Sequence, residues 1–240
     1  MEWLPGLCGG LQTTGSAGAM AAQQLLDLAW KWAENDISTA LGSTPPSYRD
    51  QKLSDLGEPL ASVLAAATAI GAASTRDSVS RFLREQKGNA VTALEMSALR
   101  AAVDQPRDGA RDDVGFGKLA ADCAARIRTR LGRPQRAPGD WSIELPAEGN
   151  ACELCDTLRE FLADPSRRAF EWPLAQKRRQ HIHSRIDAAE LPVSHQTRRR
   201  GRPYTLVLKK TDGLFVQERE AWVKDEADLE WLAAEWNLGA

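Results

Sequence analysis

The sequence contains few of the residues that form disulfides and metal sites: its 240 residues include four cysteines and three histidines. Four cysteines in a chain of this length do not make a disulfide framework, which small secreted domains build from a much denser set. Cys8 and Cys123 have no cysteine or histidine close by in the sequence, and we predict that they are small core residues. The other two form a pair, Cys152 and Cys155, whose spacing suits a metal ion.

The sequence also lacks any run of 18 apolar residues and any basic segment at its N-terminus. The first absence predicts that the chain has no transmembrane helix. The second means that the basic start of a signal peptide is missing. We therefore expect a cytoplasmic protein that is not associated with a membrane. The Gly-rich N-terminal segment is also compatible with a chain that is one part of a longer protein.

The charges nearly balance, with 31 basic and 33 acidic residues, so the net charge predicts no general attraction to nucleic acid. Their distribution is uneven. Residues 166–210 contain 12 basic and 3 acidic residues, whereas residues 211–240 contain 2 basic and 8 acidic residues. Either the two blocks neutralise each other in the fold, or the basic block faces an anionic partner.

The first half of the chain has the apolar spacing of helices. The residues that share one face of the first long helix are Leu25, Leu28, Ala29 and Trp32. We predict a flexible N-terminus at 1–18 and then a helical domain at 19–131, formed by about five helices in a bundle or short α-solenoid. A turn is predicted at Gly88-Asn89 and a polar loop at 104–117. Because this half shows no phosphate-binding loop, Ser/His/Asp set or acidic metal cluster, we interpret it as a scaffold.

A linker rich in Gly and Pro is predicted at 132–140, and beyond it the pattern changes to that of a small α+β module at 141–240. Alternating apolar residues predict strands at 141–145 and 204–210, while a basic amphipathic helix is expected at 176–189. A long helix at about 212–236 would complete the module. The predicted fold is thus mostly α, with a Cys/His module that follows the helical domain.

A structural zinc site is the function that the Cys/His pattern favours. In a Cys-x-x-Cys turn the two thiolates of Cys152 and Cys155 would point at one zinc ion about 2.3 Å away. The three histidines, His181, His183 and His195, all follow the pair, and a closed tetrahedral site needs two more ligands. Residues two apart on a helix point about 200° away from each other. We therefore predict that the site contains His195 and either His181 or His183.

Two other interpretations of the pair remain. The cysteines could be buried thiols beside surface histidines, in which case no metal is bound. They could also form a redox pair, because a helix that follows a Cys-x-x-Cys lowers a thiol pKa. The βαβ context typical of that chemistry is not predicted around them.

The basic block contains an Arg-Gly-Arg-Pro sequence within residues 198–203, which is the core of an AT-hook. Such a peptide lies in a narrow A·T minor groove. Here it leads directly into a predicted strand, so a turn is the simpler interpretation. The residues that could contact an anion or nucleic acid are Lys177, Arg178, Arg179, Arg198, Arg199, Arg200 and Arg202. Their alternative roles are a solvated face or ion pairs with the acidic final helix.

A series of motifs runs from Trp141 to about Glu220. In order, they are Trp141, Cys152-x-x-Cys155, Phe161-Leu162 before Pro165, Arg178-Arg179-x-His181, His195-x-Thr197, Gly201-x-Pro203, Thr205-Leu206-Val207 and Lys209. The series resembles the C-terminal region of large, uncharacterised bacterial and fungal proteins of the 2-oxoglutarate/Fe(II) oxygenase-like type. The resemblance covers about a third of the chain, and it implies an element carried beside an oxygenase domain.

The chain departs from such oxygenases in its iron ligands. They hold iron with His-x-Asp/Glu and a distal histidine, whereas His181, His183 and His195 are followed two positions later by His, Arg and Thr. The resemblance therefore implies that the catalytic half is not in this chain. The leading hypothesis is a non-catalytic, zinc-stabilised scaffold or interaction region that contacts a protein partner or another domain. The alternatives are an oxygenase-associated enzyme that needs Fe(II) and 2-oxoglutarate on a missing segment, and DNA binding through residues 177–202.

Overall fold

A computed structural model describes residues 1–86, 89–104, 115–145 and 152–238. These residues are mostly helical and include a small three-stranded antiparallel sheet. The predicted mainly α fold class is confirmed at this level. The chain divides into two compact units: unit 1 contains residues 1–132 and 225–240, and unit 2 contains residues 133–224. Among the described helices, none combines the length and the apolar character that crossing a membrane requires.

Unit 1 is built from helices. They are α1 (Trp3–Gln12), α2 (Ser16–Ser43), α3 (Pro46–Asp55), α4 (Gly57–Ala69), α5 (Ala73–Glu85), α6 (Val91–Asp104) and α7 (Phe116–Leu131). Pro46 occupies the first turn of α3, where its missing N–H costs no helical hydrogen bond. The turn predicted at Gly88-Asn89 and the loop predicted at 104–117 lie partly outside the described residues.

The N-terminal segment that we predicted to be flexible is helical instead, as α1 shows. Its Leu4 and Cys8 lie four residues apart, so they share one face of the helix, and both are fully buried in the core of unit 1. The Cys8 thiol donates a weak hydrogen bond to the carbonyl of Ala22, at 3.8 Å. Burial of this face outweighs the low helix propensity of the glycines in the segment.

Helix α4 lies largely in the interior of unit 1, with eight of its 13 residues buried. Gly57 begins it at a point of close approach to α6. A Cβ atom at this position would lie 2.3 Å from the Ser97 hydroxyl oxygen and 2.7 Å from the backbone nitrogen of Ala98. Leu56 separates α3 from α4, and both helices pack against α6.

Unit 2 alternates helices and strands. In chain order they are α8 (Glu153–Ala163), β1 (Ala169–Pro173), α9 (Gln176–Ala188), β2 (Val193–Arg198), β3 (Thr205–Lys210) and the first half of α10 (Gly213–Trp236). The strand order is β1-β3-β2, and both pairs are antiparallel. The central strand places alternate residues, Leu206, Leu208 and Lys210, in the buried interior.

The core of unit 2 joins α8, α9 and the sheet. Leu158, Phe161 and Leu162 form the buried face of α8, while Ile182 and Ile186 form that of α9. Both sets follow the helical spacing of three and four residues. This packing brings α8 and α9 into contact, and Cys152, Cys155 and His181 come together beside it.

The segment at 141–145 does not join the sheet as the predicted strand would. Its backbone N–H groups at Trp141 and Ile143 donate to the carbonyls of Pro165 and Leu162, each at 2.8 Å. Ile143 and Leu145 are buried as their alternation predicts. The alternation therefore reports which side chains are buried, but the hydrogen-bond partner is the end of α8.

Helix α10 contributes to both units, which changes the predicted domain boundaries. Residues 133–140, expected to be a linker, belong to unit 2, whereas residues 225–240 belong to unit 1 and not to the predicted 141–240 module. Leu232 and Trp236 are buried in the core of unit 1, and the ring of Trp236 lies 6.2 Å from that of Phe116. The apolar residues in the second half of α10 therefore form part of the core of unit 1.

Candidate metal centre

The two cysteines of the pair lie at the N-terminal end of α8. Cys152 has an extended backbone and caps the helix, because its Sγ accepts a hydrogen bond from the N–H of Cys155 at 3.3 Å. Cys155 lies in the first turn of the helix, with its side chain buried. Both sulfur atoms are thus at the end of the helix where the partial positive charge of the backbone favours an anion.

His181, on α9, is the third member of the group. Its Nε2 lies 3.4 Å from the Sγ of Cys152 and 3.2 Å from the Sγ of Cys155. The three potential ligand atoms all lie within 4.8 Å of one another. In a tetrahedral zinc site with the usual bond lengths, a sulfur and a nitrogen ligand are about 3.6 Å apart. The two sulfur–nitrogen distances therefore suit one metal ion after shifts of a few tenths of an ångström, and the three atoms leave the fourth position of a tetrahedral site to a further ligand.

The pKa values of the two thiols are shifted in opposite directions. The pKa of Cys152 is lowered, first because the Cys155 side chain and then because backbone N–H groups donate hydrogen bonds to its sulfur. Burial, followed by the neighbouring Cys152, raises the pKa of Cys155 to about 11. A metal ion favours the thiolate form of its ligands, so binding would release a proton from Cys155.

Lys210 fixes the other end of α8, and sequence analysis did not single it out. Its buried ammonium donates hydrogen bonds to the carbonyls of Leu162 at 2.9 Å and Asp164 at 2.7 Å. These carbonyls belong to the last turn of α8 and its cap, where a cation is favourable. Burial lowers the pKa of Lys210 to about 8. The available signal was its position on the same strand face as Leu206 and Leu208.

His183 and His195 face each other and not the cysteines. Their Nδ1 atoms are 2.5 Å apart. The Nε2 of His195 lies 3.1 Å from the carboxylate of Asp187, and the Nε2 of His183 lies 3.4 Å from the hydroxyl of Thr197. The structure therefore brings His181 to the thiols, and it does not bring His195 to them as the predicted zinc site requires.

One set of neutral tautomers satisfies this histidine network. The Nε2–H of His195 donates a hydrogen bond to the Asp187 carboxylate, so the Nδ1 of His195 is an acceptor. His183 then donates from its Nδ1 and accepts from the hydroxyl of Thr197 through its Nε2. Burial, followed by the nearby His195, lowers the pKa of His183, which favours its neutral form. The pair thus has hydrogen-bond partners of its own without the cysteines.

The same geometry bears on the iron ligands of an oxygenase. Asp187 contacts the nitrogen of His195 that points away from His183. The donor atoms of His183, His195 and Asp187 therefore do not converge on a single point, as a facial triad of two histidines and one carboxylate must. In the described part of the chain, the Cys/His group alone brings three such ligand atoms together.

The basic residues predicted to contact an anion occupy different environments. Arg179 is buried on α9, and Arg198 forms an ion pair with Glu171. Arg198 is nevertheless exposed, as are the remaining residues, Lys177, Arg178, Arg199, Arg200 and Arg202. The Arg-Gly-Arg-Pro sequence forms the turn between β2 and β3, where Gly201 has a φ of +74°, a conformation that favours glycine.

The acidic residues of α10 have arginine partners outside the basic helix. Within unit 2, Glu218 pairs with Arg136 at 2.5 Å. Within unit 1, Asp225 pairs with Arg130 at 2.5 Å, and Asp228 pairs with the Arg100 side chain at 2.8 Å. In these three pairs the acidic block is neutralised by arginines of the first 140 residues. One further pair joins the basic and acidic blocks, between Arg168 and Asp212 at 3.1 Å.

Comparisons of the chain with protein-family models, with curated proteins and with solved structures found no match in any of the three. The resemblance to a region of oxygenase-like proteins therefore stays a prediction. The function is inferred from the geometry of the described residues.

Proposed function

We propose that unit 2 is a zinc-stabilised module in which Cys152, Cys155 and His181 bind one Zn²⁺ ion. The observation that carries this proposal is the convergence of two sulfur atoms and one imidazole nitrogen within 4.8 Å of one another. Thiolate and imidazole together are the ligand set typical of zinc. The three residues come from two helices that pack against each other through apolar faces, so the ligands are held in place by the core.

The role of the ion would be to hold α8 and α9 together. Cys155 and His181 are 26 residues apart in the sequence. In the described residues the buried apolar core of unit 2 contains twelve side chains. Structural zinc sites in small domains contribute about 10–16 kcal/mol of apparent binding free energy to folding. A module with this core would therefore depend on its metal.

For the whole chain we infer a non-catalytic scaffold or interaction region, in line with an accessory part of an oxygenase-like protein. Exposed apolar side chains support an interaction role. Trp3 and Leu7 lie four residues apart on α1, and Leu28 and Trp32 lie four residues apart on α2; all four are largely exposed. Exposed apolar groups that share a helix face are typical of surfaces that contact a partner.

The metal content of the purified protein tests the zinc proposal. We expect one zinc per chain by elemental analysis, and an X-ray absorption spectrum with two sulfur ligands at about 2.3 Å and at least one nitrogen ligand. Cys155→Ser and His181→Ala should each lose the metal. His195→Ala is the matched control and should keep it, because His195 contacts His183 and Asp187.

The outcome also separates the alternatives. A His195→Ala protein without zinc would restore the predicted site that includes His195. A Cys155→Ser protein that keeps its zinc, or a wild-type protein that melts at the same temperature with and without a strong chelator, would contradict the proposal. An oxidised Cys152–Cys155 pair that forms reversibly, in a protein free of metal, would favour redox chemistry.

A further inference from the structure

A polar pocket of about 270 Å³ lies in unit 2, apart from the candidate metal ligands. It is lined by Gln176, Arg179, Gln180 and His183 of α9, Thr197 of β2, and Arg199 and Tyr204 of the segment between β2 and β3. Among these residues there are two arginines and no carboxylate. A pocket with this lining attracts anions and offers several hydrogen-bond donors.

Arg179 supplies a recessed positive charge. It is only 8% exposed, and its Nη1 donates to the backbone carbonyls of Leu174 and Tyr204. Its guanidinium lies 5.3 Å from the centre of the Tyr204 ring. These partners are neutral, so they fix the guanidinium in position but leave its charge uncompensated. Five N–H groups make a guanidinium able to bind an oxyanion through the nitrogens that these carbonyls do not use.

Arg199 supplies the second positive charge of the pocket, whereas the neighbouring Arg198 does not. Arg198 is neutralised by its ion pair with Glu171. Arg199 is exposed at the pocket, and in the described part of the chain it forms no ion pair within 4.0 Å of a carboxylate. Gln176 and Gln180, four residues apart on α9, add amide groups on the same helix face. Two guanidinium groups with amide and hydroxyl donors match the charge and oxygen atoms of a phosphate dianion.

The size of the pocket and the burial of Arg179 favour one kind of anion over others. Sites for drug-sized molecules measure about 300–1,000 Å³, so this pocket suits a smaller group. A terminal phosphate projects from its molecule and can reach a recessed guanidinium. A phosphodiester in a nucleic acid backbone is flanked by sugars on both sides, which obstructs its entry. We propose that this pocket binds the terminal phosphate of a small phosphorylated molecule.

The test uses the full-length, zinc-loaded protein with inorganic phosphate and adenosine monophosphate as probes, and with adenosine as the control that lacks the phosphate. Binding is measured by calorimetry at constant ionic strength. We expect saturable binding of both phosphates and none of adenosine. Arg199→Ala should weaken phosphate binding about tenfold or more, since it removes a charged hydrogen-bond donor. The control Arg200→Ala, on the same turn but outside the pocket lining, should change it less than twofold.

Arg179→Lys is the second variant, because it keeps the charge but loses the planar donor geometry. We expect it to weaken phosphate binding at least as much as Arg199→Ala does, with unchanged zinc content and circular dichroism. The proposal is overturned if phosphate shows no saturable binding, or if Arg199→Ala and Arg200→Ala weaken it equally. It is also overturned if duplex DNA binds and phosphate does not compete, which would indicate a diffuse basic surface. Zinc content is read separately, so a negative result here leaves the metal proposal untouched.

Discussion

Glu95 makes unit 1 sensitive to pH in a direction that can be stated in advance. Its side chain is fully buried on α6, where the Cys123 thiol is one of its neighbours. Its ion-pair partner is Arg126, whose Nε lies 3.4 Å from Oε1. Burial dominates over this partner and raises the pKa of Glu95 from 4.5 to about 7.

The sign and size of the effect follow from proton linkage. Between about pH 4.5 and 7 the folded chain keeps the proton on Glu95 while the unfolded chain has lost it. The free energy of unfolding therefore falls as the pH rises through this window, and it levels off above about pH 7. The two pKa values differ by about 2.5, which corresponds to an upper limit of about 3.4 kcal/mol.

Glu95→Gln removes the titration and keeps the shape of the side chain. Arg126 keeps other partners, because its guanidinium also donates to the carbonyls of Leu83 at 2.6 Å and Gln86 at 3.4 Å. We expect the variant to match the wild type near pH 5 and to exceed its stability by about 1–3 kcal/mol at pH 8. The exposed Glu85, on α5, provides the control Glu85→Gln.

The assay is urea unfolding at pH 5, 6, 7 and 8, followed by hydrogen exchange of the α6 amides. This probe reads unit 1 separately, which matters because two units need not unfold in one step. The reasoning is refuted if the difference between Glu95→Gln and the wild type stays constant from pH 5 to pH 8. It is also refuted if Glu85→Gln reproduces the effect, since the carboxylate of Glu85 is exposed and its substitution removes no buried charge.

Three further predictions concern other parts of the chain. Unit 2 should gain stability between about pH 8 and 10.5, because folding lowers the pKa of Lys210 from 10.5 to about 8. Hydrogen exchange of the α8 amides should show this gain in the wild type and not in Lys210→Met. The variant Lys209→Met, at an exposed position, should keep it. Leu232→Ala should destabilise unit 1 by about 2–5 kcal/mol in urea unfolding, without loss of zinc; a cost below 1 kcal/mol would mean that Leu232 is not a core residue. The chain supplied with Fe(II), ascorbate and 2-oxoglutarate should form no succinate, and succinate that disappears in His195→Ala would contradict both the zinc site and the non-enzyme interpretation.

Apolar periodicity predicted most elements because it records burial, and burial drives helix and strand formation here. The long helix α10 and the central strand β3 appear close to their predicted bounds. In α2 the helix is present, but Leu28 and Trp32 of the face chosen from the sequence are exposed, and the buried face contains Leu26 and Trp30. The same signal failed at α1, where glycines hide a buried face formed by Leu4 and Cys8. At 141–145 it identified the buried side chains correctly, but it carries no information about which backbone groups accept the hydrogen bonds.

The candidate site shows a similar division. The spacing of Cys152 and Cys155 indicates a shared ligand because both residues lie within one helical turn. Which histidines reach the cysteines depends on how β2 pairs with β3. The local spacing of the residues does not predict that pairing. The register of β2 against β3 places His195 and Thr197 on the same side of the strand, towards α9 and His183. His183 and His195 therefore pair with each other and not with the cysteines.

The division of α10 between the two units has a consequence for the order of folding during synthesis. A ribosome delivers the chain from its N-terminus, and the helices of unit 1 emerge long before residues 225–236. Until then the positions that Leu232 and Trp236 fill beside Phe116 are empty, so the core of unit 1 stays incomplete. Unit 2 is synthesised during this interval and can fold first. A fragment that stops at residue 224 would leave unit 1 in the same unfinished state, although most of its sequence is present.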